Sequence, residues 1–351
     1  MSEPPGPDPT PPASPASPVS PAFAVPTVDL ARWRDGDAAT RRSITEAVDA
    51  GLRAAGFLLV TGHGIGQELR DRVRATARTF FALPAAAKQA YATEVGGRGW
   101  LGPGAEANGA AEGTATPPDL KESLSFASEE PTGVPAVDAE WFLPNIWPHQ
   151  VPALRTDVQD LLASMRALSD QLLELLATAL GAAPDRFTRH TSHPTWGFNI
   201  NWYPGTQTVG EALPGQFRIG PHTDFGTVTV LDRQYGKGGL QIWTDPAHGG
   251  TGWQDAPYVP GSLTVNIGDL MAYWTDGRWR SGRHRVLPPP PDVPTEELMS
   301  LVYFYECDPG TRVGPLADSH TYLRGQLNAI NAQGIPAPAN SVAAADTGPP
   351  D

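Results

Sequence analysis

The chain has 351 residues, of which 40% are hydrophobic, so it can bury a sizeable core in one large domain or two small ones. Its formal net charge of −13 at pH 7 argues against nucleic acid and anionic membrane surfaces as partners. No apolar run approaches the roughly 18 residues of a membrane span. The single cysteine, Cys307, excludes an internal disulfide and a multi-cysteine zinc site. We therefore predict a cytoplasmic protein without a nucleic-acid or membrane partner.

Both ends of the chain are poor in residues that build a core. Residues 1–22 are dominated by Pro, Ser and Ala, and the end of the chain is rich in Ala, Pro and Asn. Such segments bury too little apolar surface to offset the entropy lost on ordering. We predict a disordered Pro-rich tail at 1–22 and a flexible tail at 334–351. Between them we expect an N-terminal region of helices and strands, 23–150, and a strand-rich core, 151–333, that begins with a long helix.

The N-terminal region starts with a strand-like segment at 25–30. Apolar residues then recur at helical spacing and predict a helix over 38–55, with Asp37 or Thr40 as its N-cap. An apolar run at 57–60 predicts a buried strand.

A second helix is expected to end at about Phe81, before Leu83 and Pro84. Residues 95–118 are rich in Gly, Ala and Thr and predict a long loop, either a lid or disordered. The most regular apolar stripe covers residues 151–181 and predicts a long helix that packs on a sheet, with Gly181 at its C-terminus.

From Thr195 onward, short β-like runs separated by turn residues dominate the sequence. Many short strands of this kind are typical of a sandwich or a barrel. The predicted strands are 196–203, 216–222, 227–233, 239–243, 262–267, 271–274 and 299–305.

Two potential metal ligands lie close together in the second half. His222 and Asp224 are two residues apart, so on an extended strand their side chains point to the same face. His284, in a second strand-like segment, is the best candidate for a third ligand. Two His and one carboxylate on one side of a metal favour non-haem Fe(II) and oxygen chemistry. The alternative is a hydrogen-bonded His–Asp pair at a strand end and an unrelated histidine.

Many short segments, in order from about residue 25 to 316, resemble the isopenicillin N synthase-like family of Fe(II)/2-oxoglutarate-dependent oxygenases. The resemblance implies an α+β fold with a β-rich core, which is a double-stranded β-helix, or jelly roll, with flanking N-terminal helices. It makes 23–150 the N-terminal oxygenase region and 151–333 the jelly-roll core with its long helix. The segments are Val25-Pro26-Thr27-Val28-Asp29-Leu30, Ala55-Gly56-Phe57, Gly62-His63-Gly64-Ile65, Phe80-Phe81-Ala82-Leu83-Pro84, Asn201-Trp202-Tyr203-Pro204, His222-Thr223-Asp224, Gly239-Leu240-Gln241, Pro260-Gly261-Ser262, Asn266-Ile267-Gly268-Asp269 and His284-Arg285-Val286.

The resemblance also implies roles for individual residues. His222, Asp224 and His284 would hold Fe(II), and an N-x-Y segment and an R-x-S segment would bind 2-oxoglutarate. Asn201 and Tyr203 match the first of these segments.

The second segment falls at Leu298-Met299-Ser300, so Ser300 is kept and the arginine is missing. An arginine fork on a carboxylate is a strong, oriented contact, and Leu298 cannot replace it.

Arg233 is the best substitute for the missing cation. Along an unbroken strand, Thr229, Leu231 and Arg233 would face away from Asp224. The family nevertheless lines its pocket with these positions, so we expect a bulge or bend near Gly226. Arg233 would then lie inside the pocket or at its rim.

The function predicted from these residues is oxidation of an unactivated C–H bond of a small molecule with Fe(II), 2-oxoglutarate and O2. Hydroxylation, desaturation and cyclisation are all compatible outcomes, and natural-product biosynthesis is the expected setting. Two alternatives stay open because of Leu298: an iron oxidase that does not use 2-oxoglutarate, and an inactive jelly-roll binding protein. Arg233 and Arg218 hint at a carboxylate- or phosphate-bearing substrate, and we expect a monomer or a weak homo-oligomer.

Several other polar residues are predicted to be structural. His63 lies in a segment that matches a turn found in the family, and Asn266 and Asp269 are expected to shape another turn. Phe225 and Trp274 are expected to be aromatic core, with pocket walls as the alternative.

Overall fold

The computed structural model describes residues 25–113, 116–237, 239–246, 250–316 and 318–331. The predicted tails at 1–22 and 334–351 lie outside these ranges, and so do Gly238 and His248. Within them the chain forms two β-sheets with helices packed around them.

The larger sheet has eight strands in the order β1-β2-β10-β7-β12-β5-β4-β3, and the smaller one has four in the order β6-β11-β8-β9. All pairs are antiparallel except β1 with β2. The architecture is the predicted α+β jelly roll, with a β-rich core and flanking helices. The strands are β1 Thr27–Asp29, β2 Phe57–Thr61, β3 Gly99–Leu101, β4 Glu122–Ala127, β5 Trp196–Tyr203, β6 Ile219–His222, β7 Val228–Arg233, β8 Leu240–Thr244, β9 Gly252–Asp255, β10 Leu263–Ile267, β11 His284–Val286 and β12 Leu298–Tyr305.

Most helices precede the strand-rich part of the chain. The α-helices are α1 Leu30–Asp35, α2 Ala38–Ala54, α3 Gln67–Phe81, α4 Ala85–Gln89, α5 Pro135–Trp141, α6 Ala153–Ala179, α7 Thr206–Val209, α8 Asp269–Trp274 and α9 Ser319–Asn331. Short 3-10 helices cover Asn108–Glu112 and Thr188–His190.

The predicted N-terminal helices are confirmed, and local signals explain their ends. Asp37 is the N-cap of α2, because its carboxylate accepts a hydrogen bond from the Thr40 backbone N–H at 2.8 Å. Helix α6 ends at Ala179, and Gly181 just beyond it has a φ of 76°, a left-handed conformation that glycine adopts at little cost. The apolar stripe of α6 is buried against α2, α3 and the larger sheet, where it forms the main core.

Two sequence predictions about secondary structure are wrong. Residues 271–274, expected to be a strand, belong to α8. Four apolar and aromatic residues carry no periodicity that separates a strand from a buried helix. Residues 95–118, expected to be a loop, contain β3 and a 3-10 helix, and β3 pairs with β4 at the edge of the larger sheet.

A buried ion cluster attaches α3 to β7. Arg70 Nη1 lies 2.9 Å from Asp232 Oδ1, and Arg74 Nη2 lies 2.6 Å from Asp232 Oδ2. All three side chains are at most 5% exposed. Because successive strand residues alternate between faces, fixing Asp232 on the helix side directs Arg233 to the other face of the sheet.

Candidate metal centre and adjoining cavities

The two sheets are joined at residues 223–227, where the chain leaves β6 of the smaller sheet and enters β7 of the larger one. His222 is the last residue of β6, and Asp224 lies two residues further on, just before the bend at 225–227. His284 is the first residue of β11 and is the direct cross-strand partner of His222. The fold therefore brings together three side chains that are distant in the sequence.

The three side chains form a compact donor group. Asp224 Oδ1 lies 3.6 Å from His222 Nε2 and 3.9 Å from His284 Nε2. One donor atom from each residue lies within 4.8 Å of the others. Two imidazoles and a carboxylate on one side of a point suit a non-haem Fe(II) ion that keeps its remaining positions open.

Backbone carbonyls orient both imidazole rings. His222 Nδ1 lies 2.8 Å from the Gly220 carbonyl oxygen, and His284 Nδ1 lies 2.9 Å from that of Gly282. Because a carbonyl oxygen only accepts hydrogen bonds, each Nδ1 carries the proton and donates it. The Nε2 lone pairs are therefore free to bind a metal.

Two side chains hold the carboxylate of Asp224. Its Oδ2 accepts hydrogen bonds from Thr229 Oγ1 and from Asn266 Nδ2, both at 2.6 Å, which leaves Oδ1 for a metal. Thr229 and Asn266 are direct cross-strand partners in β7 and β10. The prediction that Asn266 only shapes a turn is therefore wrong, because the residue lies in a strand and orients a candidate ligand.

The electrostatics of the site favour the metal-binding forms of Asp224 and His284. Burial raises the pKa of Asp224, but the two imidazoles and the hydrogen bonds outweigh it and hold that pKa well below its usual value. Burial and the neighbouring His222 lower the pKa of His284 to about 4. For His222 burial also acts to lower the pKa, but the neighbouring Asp224 carboxylate outweighs it and raises that pKa above its usual value.

An inner cavity beside His222, Asp224 and His284 is lined by all the residues predicted to bind 2-oxoglutarate. One wall of the cavity is formed by three residues on neighbouring strands of the larger sheet. Ser300 of β12 pairs with Asn201 of β5 on one side and with Arg233 of β7 on the other. The Tyr203 hydroxyl lies 3.1 Å from Ser300 Oγ. Leu298, which stands where the family has arginine, lines the same cavity.

Arg233 is the only Lys or Arg among the described residues that line the inner cavity. Its Nη2 donates hydrogen bonds to the carbonyl oxygens of Ala256 at 2.9 Å and Pro257 at 2.6 Å. Its Nε is buried and has no hydrogen-bond partner among the described residues. The Nε–H of this guanidinium can thus still donate a hydrogen bond to a ligand.

The predicted change of facing after Asp224 is present. Thr229, Leu231 and Arg233 line the inner cavity, and the bend at residues 225–227 includes Gly226. Arg218, the other arginine considered, is fully buried and pairs with Glu296 at 3.0 Å.

An outer cavity lies on the other side of the metal-ligand candidates. His222 and Asp224 border both cavities, so the donor group separates the two. Phe225, expected in the core, lines the outer cavity and also packs in a small apolar cluster, whereas Trp274 packs against Phe187.

The turn histidine is structural, as predicted. His63 Nε2 lies 2.8 Å from the Gly261 carbonyl oxygen, and its Nδ1 accepts a hydrogen bond from the Ile65 N–H at 3.1 Å.

The outer cavity is also lined by a buried carboxylate that the sequence did not single out, Glu306.

Comparisons with known proteins identify relatives over most of the chain. Residues 25–150 match the family model for the N-terminal region of a non-haem dioxygenase in morphine synthesis, and residues 198–306 match that of the 2OG-Fe(II) oxygenase superfamily. The chain is 44% identical to validamycin A dioxygenase of Streptomyces hygroscopicus subsp. limoneus, an alignment that covers 84% of this chain and 80% of the relative. It is 30% identical to a 2-oxoglutarate-dependent dioxygenase of Trichoderma harzianum, over 76% of this chain and 80% of the relative.

A solved structure extends the likeness to the fold. A Neurospora crassa protein in complex with alpha-KG and thymine superposes with a TM-score of 0.74 at 25% identity, covering 87% of this chain and 96% of that one. No helix within the described ranges has the length and apolar character needed to cross a bilayer.

Proposed function

We propose roles for individual side chains from the premise that the chain belongs to the 2OG-Fe(II) oxygenase superfamily. It is a 2-oxoglutarate-dependent dioxygenase that oxidises a small molecule with Fe(II), 2-oxoglutarate and O2. We propose that His222, Asp224 and His284 bind the iron, that 2-oxoglutarate binds in the inner cavity and that the substrate binds in the outer one. The observation that carries this assignment is the donor group between the two cavities.

The residues of the donor group fit Fe(II). When bound, the iron with 2-oxoglutarate and O2 supplies the oxidising power that removes hydrogen from an unactivated C–H bond, while 2-oxoglutarate is converted to succinate and carbon dioxide. The two Nδ1–H···O=C hydrogen bonds keep the imidazoles in the ligating tautomer. Thr229 and Asn266 keep Asp224 from rotating, so that one oxygen is held toward the metal position.

The inner cavity fits 2-oxoglutarate despite the missing arginine on β12. Arg233 reaches the cavity from β7, and Ser300, its cross-strand partner, supplies a hydroxyl beside it. Burial raises the pKa of Tyr203, so its phenol stays protonated and can donate a hydrogen bond to a carboxylate. We propose that Arg233, Tyr203 and Ser300 hold the distal carboxylate and that Asn201 supports this end of the cavity. This arrangement favours the 2-oxoglutarate enzyme over the independent oxidase.

The substrate assignment rests on the outer cavity and on the relative with 44% identity. We propose a polar small molecule of natural-product metabolism, and validamycin A is the first compound to test. Arg218 and Arg233, the reason for expecting a carboxylate-bearing substrate, do not line the outer cavity. That expectation, the oligomeric state, the cytoplasmic location and the division of the chain at residue 150 stay predictions.

The test begins with the metal site in the absence of oxygen. Wild-type protein with Fe(II) and 2-oxoglutarate should develop a weak visible charge-transfer band, and His284→Ala should lose it. His193→Ala is the matched control, because His193 is exposed and lies outside both cavities. A His284→Ala variant that binds Fe(II) as tightly as the wild type would contradict the assignment.

The second step admits oxygen. With validamycin A present, we expect succinate and an oxidised product in equal amounts. Turnover of validamycin A without 2-oxoglutarate would instead favour the independent oxidase.

A further inference from the structure

A buried carboxylate beside the metal-ligand candidates has no counter-ion. Glu306 directly follows β12, in which Ser300, Val302 and Phe304 face the cavities, and the same alternation directs Glu306 into the outer cavity. Its residue exposure is 8%. No Lys, Arg or His among the described residues forms an ion pair with it.

Only one of the two carboxylate oxygens of Glu306 is engaged. Oε2 accepts a hydrogen bond from the Thr227 backbone N–H at 2.9 Å, and no described residue donates to Oε1. The carboxyl group packs directly on Gly226, because a Cβ added at that position would overlap it. Glu306 thus lies beside the bend at residues 225–227 that follows Asp224, in the outer cavity that His222 and Asp224 also line.

The other acidic groups of the outer cavity are compensated. Glu106 forms an ion pair with Lys121, and Glu140 pairs with Arg324 at 2.7 Å. Asp224, the other carboxylate of this cavity, is a candidate metal ligand. Among the remaining described carboxylates that line the cavity, Glu306 alone has no positive partner.

The remaining cation of the outer cavity is held by backbone. Arg98 Nη2 donates to the carbonyl oxygens of Trp141 at 2.6 Å and Ser128 at 3.0 Å. It forms no ion pair with Glu306, so it does not compensate that carboxylate.

A buried carboxylate without a partner is unfavourable, because desolvation penalises the charged form. Burial raises the pKa of Glu306 well above its usual value, so without a partner the group favours its neutral form, and a cation beside it favours the ionised form. A cation that entered the cavity would offset this penalty by pairing with the carboxylate, whereas an alcohol would supply only a neutral hydrogen bond. A charged amine is therefore expected to bind at this site with a more favourable free energy than a hydroxyl group does.

We propose that Glu306 binds a protonated amine of the substrate, so that the enzyme selects amine-bearing small molecules and places them beside the metal site. The inference rests on the proposed oxygenase function and names the substrate class of the same site. Glu306 would be a specificity-determining residue that contacts substrate from just beyond the end of the strand that carries Ser300.

The test compares two probes of equal size, cyclohexylamine and cyclohexanol. Binding is measured under anaerobic conditions by calorimetry on the wild-type enzyme loaded with Fe(II) and 2-oxoglutarate. We expect the amine to bind at least about tenfold more tightly than the alcohol, a difference of about 1.4 kcal/mol. Glu306→Gln keeps the size of the side chain and the acceptor for the Thr227 N–H, and it should abolish this preference while leaving the affinity for the alcohol within about threefold.

Glu129→Gln is the matched control. Glu129 also accepts a backbone N–H, that of Asn145 at 2.6 Å, but it is exposed and lies outside the outer cavity. This variant should keep the amine preference of the wild type. Equal affinities for the two probes in the wild type, or a full amine preference in Glu306→Gln, would overturn the proposal.

The same samples separate this inference from the proposed function. If wild type and Glu306→Gln both show the charge-transfer band of bound Fe(II) and 2-oxoglutarate, the oxygenase site is intact and the amine preference alone decides the inference. Loss of that band in the wild type would refute the proposed function instead.

Discussion

Replacing Arg233 by alanine removes the only Lys or Arg side chain that lines the inner cavity among the described residues. Its Nη2 already donates to two carbonyl oxygens, whereas its Nε–H has no acceptor among the described residues and can donate to a carboxylate. Truncating one partner of a buried, hydrogen-bonded charge pair costs about 2–5 kcal/mol. Arg233 is only partly buried, so we take the lower half of this range, about 2–3.5 kcal/mol. The dissociation constant of 2-oxoglutarate should then rise roughly 30- to 300-fold.

The assay is an anaerobic titration of the Fe(II)-loaded protein with 2-oxoglutarate, followed by the charge-transfer band. Arg233 lies over the ring of Tyr258. Arg155→Ala is the matched control, because Arg155 lies over the ring of Trp147 on a helix and does not line the inner cavity. A melting curve checks that each variant is folded. If folded Arg233→Ala binds 2-oxoglutarate within about threefold of the wild type, the cation assigned to the cosubstrate is wrong.

A rescue experiment sharpens this test. Leu298 lines the same cavity at the position where the family has arginine, on the strand next to β7. The double variant Arg233→Ala/Leu298→Arg should therefore recover at least about tenfold of the lost affinity for 2-oxoglutarate. Leu298→Arg in the wild-type background should not improve binding comparably, because two neighbouring cations in one cavity repel each other.

The remaining predictions concern the residues behind the site. Asn266→Ala frees Asp224 Oδ2 from one of its two hydrogen bonds, so the affinity for Fe(II) should fall about 10- to 100-fold in a competitive metal titration. Asp232→Ala leaves Arg70 and Arg74 buried without their shared carboxylate, and the free energy of unfolding should fall by about 3–5 kcal/mol in a denaturant titration.

Each of these variants has a control on the same scaffold. Asn145→Ala removes an amide that bonds only backbone and lines neither cavity, and it should leave Fe(II) affinity unchanged. Asp71→Ala removes an exposed partner of Arg74 and should change the free energy of unfolding by less than about 1 kcal/mol. Equal losses in Asp71→Ala and Asp232→Ala would contradict the importance of the buried cluster.

Local sequence signals determined the elements whose stability is mainly local. Helix α2 is predicted by its apolar spacing and its Asp37 cap. Helix α6 is predicted by an apolar stripe that buries one face along its whole length, Ala153–Ala179. The strand at Trp196–Tyr203 matches its predicted bounds. The three candidate iron ligands were identified from residue type, spacing and family resemblance.

Only the tertiary structure decided α8 and the residues that surround the candidate ligands. Backbone N–H groups of Asp269 and Leu270 donate to the carbonyl oxygens of Asp224 and Phe225, so contacts with the bend position this helix. Nothing in residues 271–274 alone contains that information, because the partners lie about 45 residues earlier in the chain.

The same reason applies to the cavities. Strand register makes Arg233 the neighbour of Ser300, brings Asn266 to Asp224 across 42 residues, and leaves Glu306 buried beside Gly226. Residue type and spacing along the chain identify which groups can bind a metal or a carboxylate. Which of those groups meet, and which charges are left without a partner, depends on the pairing of strands that are remote in sequence.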